Sequence, residues 1–392
     1  MHSIEKFSQM QAEVTEWRRF LHQYPELEYA LHDTARFVQE KLVSFGINDV
    51  VTGIAETGLV ALIQGELGDG PTIGLRADMD ALPIHEASDK PWTSRRPGLM
   101  HGCGHDGHTA MLLGAAKYLS ATRHFKGVVA LIFQPAEEYG QGAQRMVHEG
   151  IMERFGISQV FSLHNWPGLD IGKFGICKGA ISSALDEFDI EVIGDGGHAA
   201  KPHFTIDPIV IAAQIILGLQ TLVSRKTDAQ ESLVLSVTKL EAGSSYNVIP
   251  DAVKISGTVR TLKAHLSQFA EQHILKCAQG IASAYDAEVR MNYRRLEPLM
   301  FNETNATELA VAAASALVGD KFVDSDVRPS MGSEDFAYML EARPGAYIRI
   351  GNGPTVNVHN PHYDFNDDVL PYGIGYWVNL VELILNPSET GY

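Results

Sequence analysis

The stretch Val128-Val129-Ala130-Leu131-Ile132-Phe133 is a continuous apolar run, and Gln134-Pro135-Ala136-Glu137-Glu138 follows it directly. A strand without polar alternation is typical of a parallel sheet that is covered on both faces. Ligands of such sheets gather beyond the carboxyl ends of the strands. This stretch therefore predicts an α/β fold in which the two glutamates lie at the functional edge of the sheet.

The segments around this strand repeat the alternation of strands and helices. Short apolar runs predict further strands at Gly58 to Ile63, Thr72 to Leu75, Val160 to Leu163 and Tyr347 to Ile350. Helical periodicity predicts two helices in 10–45, separated at Pro25, and helices at Thr109 to Leu119, Ala306 to Leu317 and Gly373 to Leu385. Strands that alternate with helices indicate a central, mostly parallel sheet.

Between Leu185 and Tyr293 the pattern changes. Apolar and polar residues alternate at Phe188 to Val192, a helical pattern covers Ile206 to Val223, and strands follow at Leu233 to Val237 and Val253 to Val259. A helix at Leu266 to Ala284 and a strand at Val289 to Tyr293 complete the order β-α-β-β-α-β. This order predicts a ferredoxin-like domain at 184–296, inserted between 1–183 and 297–392 of a first domain.

Composition sets limits on partners and compartment. The 392 residues exceed the usual size of one core, and the net charge of −17 argues against nucleic acid and anionic membranes as partners. Three scattered cysteines fit a reducing compartment. The longest apolar run, Ile209 to Leu219, is shorter than the ~20 residues of a membrane span. We therefore expect a soluble, cytoplasmic protein.

A second informative stretch is Met100-His101-Gly102-Cys103-Gly104-His105-Asp106-Gly107-His108. Cys103 and His105 are separated by one glycine, so an extended backbone can direct both side chains toward one ion. No second cysteine-rich cluster follows, and other ligands must come from distant segments. Distant ligands are typical of an open, catalytic metal site.

Candidate ligands follow several predicted strands. Asp78 and Asp80, Glu137 and Glu138, His164 and His359 all come just after such a strand. One thiolate, three imidazoles and one carboxylate are too many ligands for a single open zinc site, and they suit two metals with Cys103 or a carboxylate as the bridge. The remaining glutamate can act on a water molecule as general base and then general acid. Amide hydrolysis is the reaction that this arrangement favours.

At these residues the sequence resembles the M20 metallopeptidase and amidohydrolase family, in the branch of hippurate hydrolase, N-acyl-amino-acid amidohydrolases and auxin-conjugate hydrolases. The resemblance covers nearly the whole chain. The matching motifs, besides the two stretches at 100–108 and 134–138, are Arg18-Arg19 with His22, Pro25-Glu26-Leu27, 75–83, Gly196-Gly197-His198-Ala199-Ala200, Asn247-Val248-Ile249-Pro250 and His359-Asn360-Pro361.

The resemblance implies a zinc-peptidase-like catalytic domain with two divalent metal ions, and an inserted lid domain through which a homodimer or tetramer could form. The implied metal ligands are Cys103, His105, Glu138, His164 and His359. Glu137 would be the general acid and base, and Asp80 would support the site. His198 would stabilise the oxyanion and contribute to substrate binding, with Asn247 and Arg260 as candidates for the substrate carboxylate. The implied substrate is a small N-acyl amino acid, with an acetyl, benzoyl or similar acyl group.

The chain departs from the wider family at Asp78-Met79-Asp80, where Asp78 replaces the usual metal-binding histidine of an H-x-D stretch. Cys103 and His105 are the substitute ligand source of this branch. A thiolate favours zinc, whereas carboxylate and imidazole also accept manganese. We therefore expect zinc or manganese, with cobalt and nickel as further candidates.

Three other functions are compatible with parts of the pattern. A metal-dependent dipeptidase or aminopeptidase would use the same ligands. A thiol hydrolase would use Cys103 as nucleophile with His105 or His108 as base, but it would leave Glu137, Glu138, His164 and His359 without a purpose. A catalytically silent binding protein is disfavoured because every expected ligand and the Glu137 base are present.

Overall fold

The structure is a computed structural model that describes residues 2–139 and 141–386. Its contacts divide the chain into two compact units. The first comprises Met1–Ile181, Phe301–Arg328 and Glu334–Tyr392, and the second comprises Ser182–Met300 and Pro329–Ser333. The limits 184 and 296 given by the sequence for an inserted domain stay a prediction.

The secondary structure follows the predicted alternation. The strands are β1 Val50–Ile54, β2 Gly58–Gln64, β3 Thr72–Asp78, β4 Val128–Gln134, β5 Ile157–Trp166, β6 Phe174–Gly175, β7 Gly179–Ser182, β8 Ala184–Ile193, β9 Gly197–His198, β10 Leu233–Ala242, β11 Val248–Ile249, β12 Ala252–Thr261, β13 Glu288–Glu297, β14 Met300–Asn302, β15 Val323–Asp324 and β16 Gly345–Gly351. The α-helices are α1 Ile4–Ser8, α2 Gln11–Gln23, α3 His32–Ser44, α4 His105–Thr122, α5 Gly142–His148, α6 Ile151–Arg154, α7 Pro208–Thr221, α8 Ala264–Ser283, α9 Thr304–Val318, α10 Ala337–Ala342 and α11 Leu370–Leu385.

The first unit is built on a sheet in the order β1-β2-β4-β3-β5-β16-β6-β15. Its centre is parallel, because β3 pairs with β4 and β5, and β5 pairs with β16, all in parallel. The antiparallel pairs lie nearer the edges, between β1 and β2, β2 and β4, and β16 and β6. The prediction of an α/β fold with a central, mostly parallel sheet is confirmed.

Helix α4 follows the Cys103 loop directly and packs against this sheet. Fourteen of its eighteen residues are buried, so it is a core helix with little amphipathic character. Close approach to α11 depends on glycines: a Cβ on Gly373 would lie 2.0 Å from Met111 Sδ, and one on Gly114 would lie 2.5 Å from Ile374 Cδ1. The buried helix thereby fixes its own N-terminus, which begins at His105.

The second unit contains the predicted β-α-β-β-α-β order as β8-α7-β10-β12-α8-β13. Its sheet has the order β10-β12-β8-β13, and the adjacent strands are antiparallel. Phe188, Ile190 and Val192 alternate with more exposed residues along β8 and join one core with the buried faces of α7 and α8. A small ribbon of β9 and β11 belongs to the same unit. A lid role for this unit stays a prediction.

The segment Pro208–Lys226, which contains α7, is long and apolar enough by length and composition to cross a membrane. The apolar run Ile209 to Leu219 is itself shorter than a membrane span, and the longer segment includes the more polar residues that follow it. In the structure Ile211, Ile215 and Leu219 are buried in the core of the second unit, whereas Val210 and Leu217 are exposed. Packing on the sheet accounts for the apolar inner face of this helix.

Candidate metal centre

Residues from three neighbouring strands supply one edge of the site. Asp78 is the last residue of β3, and Gln134 is the last residue of β4. His164 lies within β5, two residues before its end, and does not follow the strand as the sequence predicted. The strand is longer than its apolar run because Asn165 and Trp166 keep pairing with β16.

The Cys103 loop can approach β5 because Gly104 has no side chain. Its φ of 95° lies in the left-handed region, and a Cβ there would lie 2.3 Å from Asn165 Oδ1 and 2.7 Å from Tyr363 Oη. Glycine is the residue that meets both requirements. The loop consequently turns directly into α4, with Cys103 and His105 on either side of the glycine.

Cys103, His105 and His164 form the first group of candidate ligands, with their ligand atoms all within 4.8 Å of one another. Cys103 Sγ lies 3.5 Å from His164 Nε2. His164 Nδ1 donates to the Asn165 carbonyl oxygen at 2.7 Å, and His105 Nδ1 donates to the Asp80 carbonyl oxygen at 2.8 Å. Both imidazoles are therefore oriented so that Nε2 is the atom available to a metal.

Cys103, Glu138 and His359 form the second group. His359 Nε2 lies 3.3 Å from Glu138 Oε1. The backbone holds both residues: Glu138 N donates to Asp80 Oδ2 at 3.0 Å, and His359 N donates to the Gly102 carbonyl oxygen at 2.7 Å. Cys103 belongs to both groups, so its sulfur is close to the other ligand atoms of each.

Glu137 lies between these groups and a buried acidic pair. Its Oε2 is 3.9 Å from His105 Nε2, and it also forms a close group with Glu334 and Asp335. Burial, together with the negative charges of Glu334 and Glu138, raises the pKa of Glu137 well above its usual value. A carboxyl group with a raised pKa can accept and return a proton near neutral pH, as a general acid and base must.

The three histidines experience different electrostatic surroundings. Burial and the neighbouring His108 lower the pKa of His164 well below its usual value, so its ring stays neutral as a metal ligand requires. Although burial opposes it, the negative charge of Asp78 and the hydrogen bond to Asp80 raise the pKa of His105 well above its usual value. Hydrogen bonds to Cys103 and Glu138 raise the pKa of His359 to about 10. The same negative charge attracts a metal cation.

Unpaired buried atoms test whether these residues fit metal ions. Within the described residues, His105 Nε2 and Glu138 Oε1 are buried without a hydrogen-bond partner, and Asp80 Oδ1 is in the same state. Buried polar atoms are costly unless a partner satisfies them. Two of the three atoms belong to candidate ligands and face other candidate ligands. The donor set and its unsatisfied atoms therefore fit divalent cations.

Several residues around the site were not assigned by the sequence analysis. Arg76 is buried and contacts Asp78, Glu334 and Asp335 at 2.7, 2.9 and 3.1 Å. His108 Nδ1 lies 2.6 Å from Asp78 Oδ1, so the Asp78 carboxylate connects Arg76 to His108. Arg76 lies within the buried strand β3, directly after the apolar run that ends at Leu75, and a charged residue at such a position is the signal that could have identified it.

Three predicted residues lie in the second unit. His198 in β9 pairs with Val248 in β11, and the Ala199 N–H donates to the Asn247 carbonyl oxygen at 3.0 Å, so His198 and Asn247 are neighbours on one ribbon. Both are exposed. Arg260 lies in β12, where its Nη1 donates to the Met331 carbonyl oxygen at 3.0 Å. The proposed roles of these residues stay predictions.

The chain is similar over nearly its whole length to known hydrolytic enzymes and to a solved metal-binding structure. The hippurate hydrolase of Campylobacter jejuni is 40% identical over 380 residues, which cover 97% of this chain and 98% of that protein. The N-acetylcysteine deacetylase of Bacillus subtilis is 38% identical over 369 residues, which cover 94% and 96% of the two chains. A solved Bacillus subtilis structure, described as a dinuclear metal binding peptidase from the M20 family, has a TM-score of 0.86 and 34% identity, and covers 97% of this chain and 100% of that one.

The family assignment follows from these matches and from the site. Residues 74–383 match the sequence model of peptidase family M20/M25/M40. This range contains all five candidate metal ligands. The related dinuclear structure and the two ligand groups that share Cys103 support two metal ions. The chain therefore belongs to peptidase family M20/M25/M40 and is a metal-dependent hydrolytic enzyme that acts on amide bonds.

Proposed function

We propose that this protein cleaves the amide bond of small N-acyl amino acids and releases a carboxylate and a free amino acid. The observation that carries the proposal is that Cys103 belongs to two ligand groups while Glu137 lies beside them. The relatives named as hippurate hydrolase and N-acetylcysteine deacetylase support acyl amino acids with benzoyl or acetyl groups as the substrate class.

Five residues would hold two divalent cations: Cys103, His105, His164, Glu138 and His359. Zinc or manganese is proposed, with cobalt and nickel as further candidates, because the set combines a thiolate with imidazoles and a carboxylate. Cations bound there would supply polarisation of the scissile carbonyl group and a lower pKa for a nearby water molecule. His105 and His164 are held for this task by their hydrogen bonds to backbone carbonyl oxygens.

Glu137 is proposed to move the proton of the reaction. Its carboxylate takes a proton from the water molecule whose oxygen bonds to the acyl carbon. It then delivers that proton to the amide nitrogen as the carbon–nitrogen bond breaks. The raised pKa of Glu137 suits both halves of this cycle. Asp80 holds the site together because its carboxylate Oδ2 accepts from the Glu138 N–H and its backbone carbonyl oxygen accepts from the His105 ring.

Residues of the second unit are proposed to complete substrate recognition. His198 would donate to the developing oxyanion, and Asn247 and Arg260 would bind the substrate carboxylate. The unit would act as a lid, and the exposed apolar residues of α7, such as Val210 and Leu217, would contribute to a homodimer or tetramer. We further propose that the protein works in the cytoplasm, since its three cysteines are free thiols.

A substrate panel tests the proposed function. Metal-reconstituted protein is assayed with N-acetyl and N-benzoyl amino acids, and with dipeptides that carry a free amino group. Preference for the acylated compounds is expected, whereas preference for dipeptides would favour the dipeptidase or aminopeptidase alternative.

Chelation separates the metal-dependent reaction from a thiol hydrolase. EDTA should abolish turnover, and added zinc or manganese should restore it. Activity that survives EDTA would favour Cys103 as a nucleophile.

A further inference from the structure

One carboxylate joins the two ends of the turn that carries Glu137 and Glu138. Gln134, at the end of β4, and Ala143, in the first turn of α5, flank this turn. Gln134 Nε2 donates to both oxygens of Asp335 at 2.8 Å, and Ala143 N donates to Asp335 Oδ2 at 2.8 Å. Asp335 is completely buried, so these bonds are shielded from water.

The turn needs support from outside because its own backbone is strained. Ala136 and Gln141 have φ angles of 55° and 54°, in the left-handed region that is unfavourable for residues with a side chain. Gly142 N donates to the Ala136 carbonyl oxygen at 2.9 Å, and a Cβ on Gly142 would lie 1.7 Å from Pro135 O. Such a conformation persists where the surrounding structure fixes it.

Arg76 fixes the orientation of the clamp, which is the set of hydrogen bonds from Gln134 and Ala143 to Asp335. Its Nε donates to Gln134 Oε1 at 2.7 Å, which leaves the amide nitrogen of Gln134 directed at Asp335. Its Nη2 donates to Asp335 Oδ1 at 3.1 Å. By distance, Glu137, Glu334 and Asp335 could also form a cation site. The oxygens of Asp335 are already occupied by these donors, so a structural clamp explains them better.

We propose that Asp335 is a positioning residue for Glu137, holding the turn between Gln134 and Ala143 in the conformation that aims the Glu137 carboxylate at the reacting water molecule. Asp335 itself does not touch the substrate. The inference rests on the proposed role of Glu137. A group that must be held within about 0.5 Å for efficient proton transfer depends on such buried support.

An exchange of acid and amide tests the clamp. Asp335→Asn places an amide nitrogen, which is a donor, against one of the donors on Gln134, Arg76 or Ala143. Because one hydrogen bond of the clamp is then lost, we expect kcat to fall by about 10- to 100-fold with KM nearly unchanged. Gln134→Glu added to Asp335→Asn restores an acceptor opposite the new amide and keeps the net charge, so kcat should partly recover. Glu303→Gln is the control, since Glu303 also binds a backbone N–H, that of Ala306, elsewhere in the same unit.

Folding is monitored by circular dichroism and thermal unfolding in every variant. The proposal is overturned if Asp335→Asn keeps kcat within the range of Glu303→Gln, or if the double variant regains stability without regaining kcat. Failure of both variants to fold would also overturn it, because Asp335 would then act on stability alone.

Glu137→Gln is assayed beside the clamp variants. Full turnover in Glu137→Gln would contradict the proposed function itself. An inactive Glu137→Gln together with an active Asp335→Asn would contradict only the positioning role.

Discussion

His359 Nε2 lies 3.3 Å from Glu138 Oε1, although the two residues come from opposite halves of the chain. The contact forms because the Glu138 turn is anchored to Asp80 and the His359 backbone is anchored to Gly102. Cys103, one residue from Gly102, completes this group. A loop, a strand end and a distant C-terminal segment thereby contribute to one site.

Glu137→Gln should separate chemistry from metal binding. The amide side chain keeps the size of the glutamate but accepts no proton, so we expect turnover to fall by at least about 100-fold. Metal content should stay near that of the unchanged protein, because Glu138 and the other ligands remain. Metal analysis and steady-state kinetics on the same samples check both expectations. Glu13→Gln, on the surface, is the control. Unchanged turnover would remove Glu137 as the base.

Cys103→Ser should weaken both metal sites, because Cys103 belongs to both ligand groups. A hydroxyl group is a poor ligand for zinc, so zinc affinity should fall at least about ten-fold and the preference should shift toward manganese. His359→Gln is the matched comparison, since His359 belongs to the second group alone. Titration with each metal, followed by calorimetry, should show two weakened sites in Cys103→Ser and one in His359→Gln. Equal effects of the two substitutions would argue against a shared thiolate.

Arg76→Met should destabilise the first unit strongly. Arg76 is buried and its removal would leave Asp78, Glu334 and Asp335 without their common cation. Breaking a buried ion pair costs about 3–5 kcal/mol, and urea unfolding should show a loss of this order in the free energy of unfolding. Arg145→Met, which removes an exposed arginine paired with Glu56, should change stability little. A loss no greater than that of the control would show that the buried network is not stabilising.

The His22–Asp106 pair predicts a pH-dependent stability. His22 Nδ1 lies 2.8 Å from Asp106 Oδ2, and although burial opposes it, the Asp106 charge raises the pKa of His22 to about 9. The pair therefore contributes fully below about pH 6.5, where unfolded histidine is also protonated, and its contribution is lost as pH rises through about 9. The shift corresponds to a contribution on the order of 3 kcal/mol.

The measurement is the difference in the free energy of unfolding between the unchanged protein and His22→Gln. This difference should be largest near pH 6 and should shrink toward pH 9.5. A difference that is constant over this range would show that His22 does not bind a proton in the folded state.

The sequence predicted the elements of the fold well where a pattern is local. The apolar run at 128–133 is strand β4, and the alternation at 188–192 lies in β8. The predicted end of β5, at Leu163, was wrong. Polar residues such as His164 and Asn165 remain in the sheet because they pair with β16. Pairing partners are distant in sequence, so a local pattern cannot show how far a strand continues.

The sequence named the candidate ligands and one supporting residue, Asp80, and their roles at a metal site stay predictions. Cys103, His105, Glu138, His164 and His359 could be named from motifs, and the structure brings their ligand atoms together. The support given by Arg76, Asp335 and His108 depends on buried contacts between distant segments. Local motifs therefore indicate the candidate ligands and Asp80, but they do not show contacts that form only when distant segments pack together.

Anomalous X-ray diffraction from crystals of the zinc- or manganese-loaded protein tests the central claim most directly. The account predicts two anomalous peaks per chain, one among Cys103, His105 and His164 and the other among Cys103, Glu138 and His359. A single peak, or peaks away from Cys103, would contradict it.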